Sequence, residues 1–314
     1  MSILLAATGW DPTPWRRRFE ALLPDHPVAT PQTVTDRAAV RYAVCWRPGR
    51  GALADLPNLQ AIFSLGAGVD HLLEAPDLPD VPIVRVVDPD LTGRMSEWVA
   101  LHALLHLRDF RRYERGQRER VWDEDADPPA ASEVRVGVMG FGELGRDAGR
   151  KLKALGFDVA AWSASAKIEP GITCFDGPGG LDAMLARTDI LVALLPLTHA
   201  TRGILNARLF AKLAPGGRLG GPILLNAGRG GLQVEADILA ALDAGVLKGA
   251  SLDVFETEPL PRGSPLWRHP GVILSPHNAA VSSPGAVARY IAGQIEAFER
   301  GEPLRHVVDR ARGY

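Results

Sequence analysis

The sequence predicts an α/β protein whose larger part is a Rossmann-type, doubly wound parallel sheet. Three observations predict it. Short apolar runs of β character alternate with helical patterns along almost the whole chain. Buried runs of this kind, joined by helices, imply a parallel sheet covered on both faces. A G-x-G-x-x-G stretch at Gly140, Gly142 and Gly145 lies between a strand-like and a helix-like segment, which is where a dinucleotide-binding turn has to sit. A length of 314 residues predicts about two domains.

The elements follow in order. Runs 3–7, 42–46, 60–64 and 82–87 read as strands of a first unit. From 97 to about 115, Trp98, Leu101, Leu104, Leu105 and Leu107 form an apolar stripe at helical spacing. The polar stretch 115–132 reads as an irregular connector with Trp122 as an anchor of unknown partner. A second unit starts at Val134, with strands at 134–139, 158–162, 190–195, 223–226, 249–254 and 272–274. Helical patterns lie between them at 144–155, 181–186, 207–212 and 235–244, and a last helix runs from Pro284 to about Arg300, before Gly301.

Composition narrows the function classes. An apolar fraction of 46% and a charged fraction of 23% exclude a disordered chain. The 33 glycines and 25 prolines exceed the usual share without period or low complexity, so they belong to specific turns. Thirty-five basic against 37 acidic residues leave no global field for nucleic acid. Cys45 and Cys174 make no disulfide framework and fit a reducing, cytoplasmic setting. Residues 1–7 lack the basic start of a signal peptide and read as a strand. The longest strongly apolar run, 190–195, is far short of the ~20 residues of a membrane span.

In the glycine-rich window, Gly140 permits the tight turn, Gly142 lets backbone approach a pyrophosphate, and Gly145 lets the helix pack on the sheet. The helix start supplies N–H donors and the positive end of a dipole. The same residues also fit a plain βα turn, or another nucleotide-like ligand such as S-adenosylmethionine. An NAD-specific site carries a carboxylate at the end of the second strand. Here Ser163, Ser165 and Lys167 stand there instead, two hydroxyls and a cation suited to a 2′-phosphate. This favours NADP(H) and leaves NAD(H) possible.

Three later segments each put a reactive residue just past a strand. Arg229 lies in Asn226-Ala227-Gly228-Arg229-Gly230, Glu258 in the stretch 253–260, and His277 in Ser275-Pro276-His277-Asn278. The carboxyl ends of strands in a doubly wound sheet line one crevice, so the three converge. Arginine offers a planar charged fork for a carboxylate. Histidine gives or takes a proton near neutral pH, and a neighbouring Glu orients the ring and favours its protonated form. With a nicotinamide, that is a site for reducing the carbonyl of a 2-oxo acid. Taken singly, each has a plainer reading: Arg229 as a tie between loops, Glu258 as an exposed loop acid, His277 as a satisfied loop histidine, Asp253 as a turn cap.

His102 and His106 have the i, i+4 spacing of metal ligands, but no H-E-x-x-H and no third ligand accompany them. They read as helix packing, and no metal is expected. Arg108, Arg111, Arg112, Arg115, Arg118 and Arg120 interleave with acids and read as a solvated or dimer-facing helix. Trp10 and Trp15 read as core or domain-edge packing.

With these residues in place, the sequence resembles the D-isomer-specific 2-hydroxyacid dehydrogenases over nearly its whole length. The motifs 226–230, 253–260 and Pro276-His277 carry the likeness. Gly66-Ala67-Gly68-Val69-Asp70, Ser264-Pro265-Leu266-Trp267 with His269-Pro270, and the terminal 308–314 resemble the members that reduce glyoxylate and hydroxypyruvate. The resemblance implies NADPH-dependent reduction of these two to glycolate and D-glycerate. Arg229 would bind the substrate's carboxylate and carbonyl oxygen, with His277 as general acid and Glu258 paired to it. The amides of Ala67 and Gly68 would hold the carboxylate, and Trp46 would wall the pocket. Glu143 and Leu144 amides would meet the pyrophosphate. Leu195, Pro196 and Thr201 would flank the cofactor, and Ala227 and Asp253 would contact its nicotinamide end.

The family fold implies a discontinuous, flavodoxin-like substrate domain, 1–97 plus 284–314, with the NAD(P)-binding domain 98–283 nested within it. Hinges would lie near Ser96 and Ser283, and a homodimer would form on the helix from Glu97 and its following arm. No nucleic-acid or membrane partner is expected. Three positions depart from the family pattern: Ala164 where an NADPH site often has Arg, Asn278 where an apolar residue is common, and a long turn at 215–222. The alternatives are another D-2-hydroxyacid dehydrogenase, of phosphoglycerate or D-lactate type, and a non-catalytic NAD(P)H-sensing protein. A methyltransferase would leave Arg229, Glu258 and His277 unexplained.

Overall fold

The computed structural model describes residues 1–314, which form two units: Met1–Leu91 with Ser282–Tyr314, and Thr92–Val281. The first begins with β1 (Ser2–Ala7), α1 (Thr13–Leu22), β2 (Val28–Ala29), β3 (Val40–Trp46), β4 (Ala61–Ser64), α2 (Asp70–Leu73) and β5 (Ile83–Val84). Next come α3 (Pro89–Leu107), α4 (Phe110–Glu119), β6 (Arg135–Met139), α5 (Glu143–Ala154), β7 (Asp158–Ser163), β8 (Thr173–Asp176) and α6 (Gly177–Leu185). The second unit continues with β9 (Ile190–Ala193), α7 (Ala207–Phe210), β10 (Ile223–Asn226), α8 (Glu235–Asp243), β11 (Gly249–Leu252) and β12 (Val272–Leu274). The chain then returns to the first unit through α9 (Pro284–Glu299). The divisions fall at Leu91/Thr92, in the first turn of α3, and at Val281/Ser282, against the 97/98 and 283/284 implied by the family resemblance.

The first sheet has the order β2-β1-β3-β4-β5, all parallel, which is the flavodoxin-like arrangement. Its strands are apolar on both faces. Ile3, Leu5, Tyr42, Val44 and Phe63 point to one side, and Leu4, Ala6, Ala43, Cys45 and Ile62 to the other, the two-residue alternation of a strand covered on both sides. Helix α9 covers the first side with Val287, Ile291 and Ile295, spaced by one helical turn. The tail after it bonds the sheet edge, Val308 N–H to Ile83 O at 2.8 Å, and Val84 bridges Val307 antiparallel.

The second sheet runs β12-β11-β10-β9-β6-β7-β8, also all parallel. This is the Rossmann order with one strand added beyond β11. β9, β10 and β11 are buried at every residue, as expected for central strands between two helical layers.

Several expectations change. The single helix at 97–115 is two helices, because Asp109 adopts a left-handed φ of 44° between them, so residues 115–119 are helical rather than irregular. Trp122 is not an anchor within the chain, since it is 92% exposed. The strand at 82–87 shrinks to Ile83–Val84, and those at 190–195 and 249–254 stop at Ala193 and Leu252. α1, α2, β2 and β8 are additional. The long turn 215–222 acquires a physical account. Leu219 is buried in the core, Arg218 reaches Asp127 (3.0 Å) and Glu133 (3.2 Å), and a Cβ on Gly217 would lie 2.1 Å from the Asp189 carboxylate. The turn therefore pins the connector while packing against an acid already engaged by Arg135.

Candidate active site

The glycine turn follows β6 directly. Gly140 has φ 98°, and a Cβ there would sit 2.7 Å from the Leu194 carbonyl. A Cβ on Gly145 would sit 1.9 Å from Gly140 O, so the first turn of α5 lies hard against the loop. Gly142 caps α5 with no side chain, and Arg146 N–H makes the first bond back to it, at 2.9 Å. The amides of Glu143, Leu144 and Gly145 therefore have no acceptor within the helix. The space beside Gly142 is open, with nothing within 4 Å of where a Cβ would be. Uncapped amides at a helix start entered through glycine are the donor set a pyrophosphate requires.

At the end of β7, the Ser163 hydroxyl donates to Ser165 O at 2.7 Å, and Ser165 and Lys167 are exposed. On the next loop, the Thr201 hydroxyl donates to Pro196 O (2.7 Å) and accepts from Thr198 N–H (2.8 Å), which closes the turn after buried Leu195.

The loops after β10, β11 and β12 build the acid–base cluster. Glu258 Oε2 meets His277 Nδ1 at 2.7 Å, and its Oε1 accepts from Phe255 N–H at 3.1 Å. His277 holds a left-handed φ of 51°, a costly conformation for a residue with a Cβ. Asp253 holds the backbone around it. The carbonyl of Asp253 accepts from His277 N–H at 2.7 Å, and its carboxylate accepts from Asn278 and Ala279 N–H, each at 3.0 Å. Ser275 donates to the same carboxylate at 2.6 Å and accepts from the Trp98 indole at 2.9 Å. Burial pushes the Asp253 carboxyl up, and these bonds oppose the rise. Two strained or buried groups thus support each other.

Arg229 extends from the loop after β10, with Nη1 donating to Gly228 O at 2.9 Å. That loop is tied down by the buried Asn226, which accepts from Gly228 N–H (3.1 Å) and donates to Gln233 (2.8 Å). Gln233 in turn donates to Val254 O at 3.0 Å. A Cβ on Gly230 would lie 1.8 Å from Phe255 O, so the Arg229 loop presses on the segment that leads to Glu258. The structure therefore brings the loops of Arg229, Glu258 and His277 together, with Ala227 and Asp253 buried beneath them. The carboxylate on Nδ1 fixes the orientation of the half-exposed ring and turns Nε2 away from Glu258.

In the first unit, Trp46 ends β3 and Ala67 and Gly68 lie in the loop after β4. Ser64 shapes that loop, accepting from Gly66 N–H and donating to Gly68 O, both at 3.2 Å. His102 and His106 are packing residues. His106 bonds the Ser251 hydroxyl at 2.9 Å, and His102 lies against Trp98 with ring centroids 4.1 Å apart. Sequence reasoning missed Asn226, Gln233, Ser275 and Trp98 as supports of the site. The available signal was a polar residue ending, or closely following, an apolar strand.

The model of the D-isomer specific 2-hydroxyacid dehydrogenase NAD binding domain matches residues 100–279. The chain belongs to the D-isomer-specific 2-hydroxyacid dehydrogenase family. A glyoxylate/hydroxypyruvate reductase A from Serratia proteamaculans is 39% identical over 320 residues, covering 100% of both chains. A probable 2-hydroxyacid dehydrogenase from Rhizobium etli, solved with NADP, HEPES and L(+)-tartaric acid, is 47% identical with a TM-score of 0.94, covering 100% of this chain and 99% of that one. An NADPH-dependent glyoxylate/hydroxypyruvate reductase from Sinorhizobium meliloti, solved with NADP and sulfate, is 48% identical with a TM-score of 0.93 and the same coverage. As a member of this dehydrogenase family, the protein is an oxidoreductase of α/β fold.

Proposed function

We propose that this dehydrogenase uses NADPH to reduce glyoxylate to glycolate and hydroxypyruvate to D-glycerate. The observation that carries the reading is the Glu258–His277 pair beside the Arg229 loop, at the carboxyl ends of three adjacent parallel strands. The relatives named for these substrates support it. Amides of Glu143, Leu144 and Gly145 bind the pyrophosphate. Ser163, Ser165 and Lys167 take the 2′-phosphate, and Ala164 offers no cation to help. Leu195, Pro196 and Thr201 line the cofactor, while Ala227 and Asp253 meet its nicotinamide end. When bound, the reduced nicotinamide supplies the hydride.

Arg229 holds the substrate's carboxylate and carbonyl oxygen, so negative charge gathers where a fixed cation already stands. Ala67 and Gly68 amides hold the carboxylate, and Trp46 walls the pocket. His277 Nε2 would give its proton to the carbonyl oxygen as the substrate is reduced, and Glu258 would stabilise the imidazolium that donates it.

Oxidation of NADPH and of NADH, followed by absorbance with glyoxylate, hydroxypyruvate, phosphohydroxypyruvate and pyruvate, tests the reading. We expect NADPH with the first two to dominate, and Arg229→Ala and His277→Ala to lose at least a hundredfold in kcat/KM, about 3 kcal/mol of transition-state stabilisation. No oxidation with any 2-oxo acid would favour a sensing protein instead. The protein acts in the cytoplasm, consistent with free Cys45 and Cys174. It acts as a homodimer: Leu101, Leu104, Phe110, Tyr113, Val121 and Trp122 leave apolar surface exposed along one short segment. Trp122→Asp should shift the mass measured by light scattering towards the monomer.

A further inference from the structure

We propose that Trp10 is a positioning residue for the substrate pocket: stacked on Trp46, it sets how bulky a 2-oxo acid the enzyme accepts. This rests on the reading that Trp46 walls that pocket. After β1 the chain turns through Gly9, at φ 81°, and presents Trp10, which remains 40% exposed. Hydrophobic burial alone does not account for a large ring left so open. Its position in a column of rings does.

Trp10 lies between Trp15, at 5.9 Å and 10° between planes, and Trp46, at 5.1 Å and 15°. Trp15 is buried and stacks in turn on the fully buried Phe19, at 6.5 Å, so the column is rooted in the core of the first unit. Trp46 also meets His71, centroids 4.6 Å apart, and carries the Arg47 guanidinium 5.8 Å from its ring. The six-membered edge of Trp46 is pressed onto the loop after β4, since a Cβ on Gly66 would fall 2.6 Å from its Cζ3. That loop carries Ala67 and Gly68. The indole is thus wedged between the Trp10 ring and the backbone proposed to hold the substrate carboxylate. A ring so held cannot swing aside for a longer side chain. Without Trp10 it loses one supporting stack, and the limit on side-chain size relaxes.

One aromatic stack corresponds to about a two- to tenfold population bias, and a single methylene in an apolar pocket discriminates by about 10- to 200-fold. For Trp10→Ala we therefore expect the kcat/KM preference for glyoxylate over a branched 2-oxo acid such as 2-oxoisocaproate to narrow by about fivefold. The change should fall in the KM of the 2-oxo acids, with the KM for NADPH unmoved, and Trp10→Phe should restore most of it. Should Trp10→Ala fail to fold, Trp10→Leu, which fills space without a ring to stack, replaces it. An active wild type with an unchanged preference in the variant overturns the proposal alone. So does an equal loss of kcat on every substrate, which marks a merely structural residue. A wild type inactive on every 2-oxo acid overturns the proposed function instead, and this inference with it.

Discussion

Lowering the pH should destabilise the second unit through two histidines buried on α3. Burial pushes His102 down to about 4 and His106 to about 3, the latter also by the charges of His102, Lys248 and Arg111. In the unfolded chain both titrate near 6.5. As pH falls through that value, the unfolded state takes up protons that the folded state refuses, so stability drops. The loss continues until the folded rings also titrate, near 3 to 4. At about pH 5 each ring has cost about 2 kcal/mol relative to about pH 8, or about 4 kcal/mol together. That is a large part of the 5–15 kcal/mol typical of a domain. Carboxylates held low by partners, such as Glu169 beside Arg150, lose their contribution only at lower pH and do not mimic the effect. The assay is urea unfolding at the two pH values, followed by Trp98 fluorescence, since that ring lies against His102. His106→Gln should remove about half of the pH dependence, whatever it does to stability at pH 8. Equal unfolding free energies at the two pH values, or an undiminished pH dependence in His106→Gln, would refute the burial argument.

Other outcomes follow from single contacts. Gly145→Ala drives a methyl into Gly140 O, so the turn must open. We expect about 1–3 kcal/mol of lost stability and at least tenfold weaker NADPH binding by calorimetry. Gly230→Ala meets Phe255 O in the same way, and should lower kcat/KM for hydroxypyruvate by at least tenfold while NADPH affinity stays within twofold; an unchanged kcat/KM would count against the coupling of the Arg229 and Glu258 loops. Glu258→Gln keeps the size but not the charge beside His277, and should cost about 10²–10⁴ in kcat with hydroxypyruvate; an unchanged kcat would count against the pairing.

The alternation of apolar strands with helices was readable because central parallel strands are buried at every position and carry apolar runs, as in Ile190–Ala193 and Ile223–Leu225 of β10. Two of the four edge strands were not. Val28–Ala29 and Thr173–Asp176 lie at the ends of their sheets, where half-exposed residues carry little apolar signal. The break at Asp109 was invisible because a left-handed residue other than glycine has no reliable mark in sequence. At the site, Gly140, Gly145, Arg229, Glu258 and His277 were legible because each follows a strand end. Asn226, Gln233 and Ser275 were not singled out, because a buried amide or hydroxyl is known only by its partners. The turn at 215–222 made sense only once Leu219 was seen in the core and Gly217 against Asp189.

The first unit is made from both ends of the chain, and this dictates an order of assembly. Its core needs Val287, Ile291 and Ile295 beside Ile3 and Phe63, and its edge strand needs Val307 and Val308. During synthesis, β1 through β5 and α1 emerge before α9, the second of the two helices that cover one face of the sheet. The second unit, residues 92–281, is complete in sequence before that helix is made. The earliest part of the chain is therefore among the last to be buried. A ribosome stalled with α9 still in its exit tunnel would hold a finished nucleotide-binding fold beside an open sheet, the state in which a chaperone has most to shield.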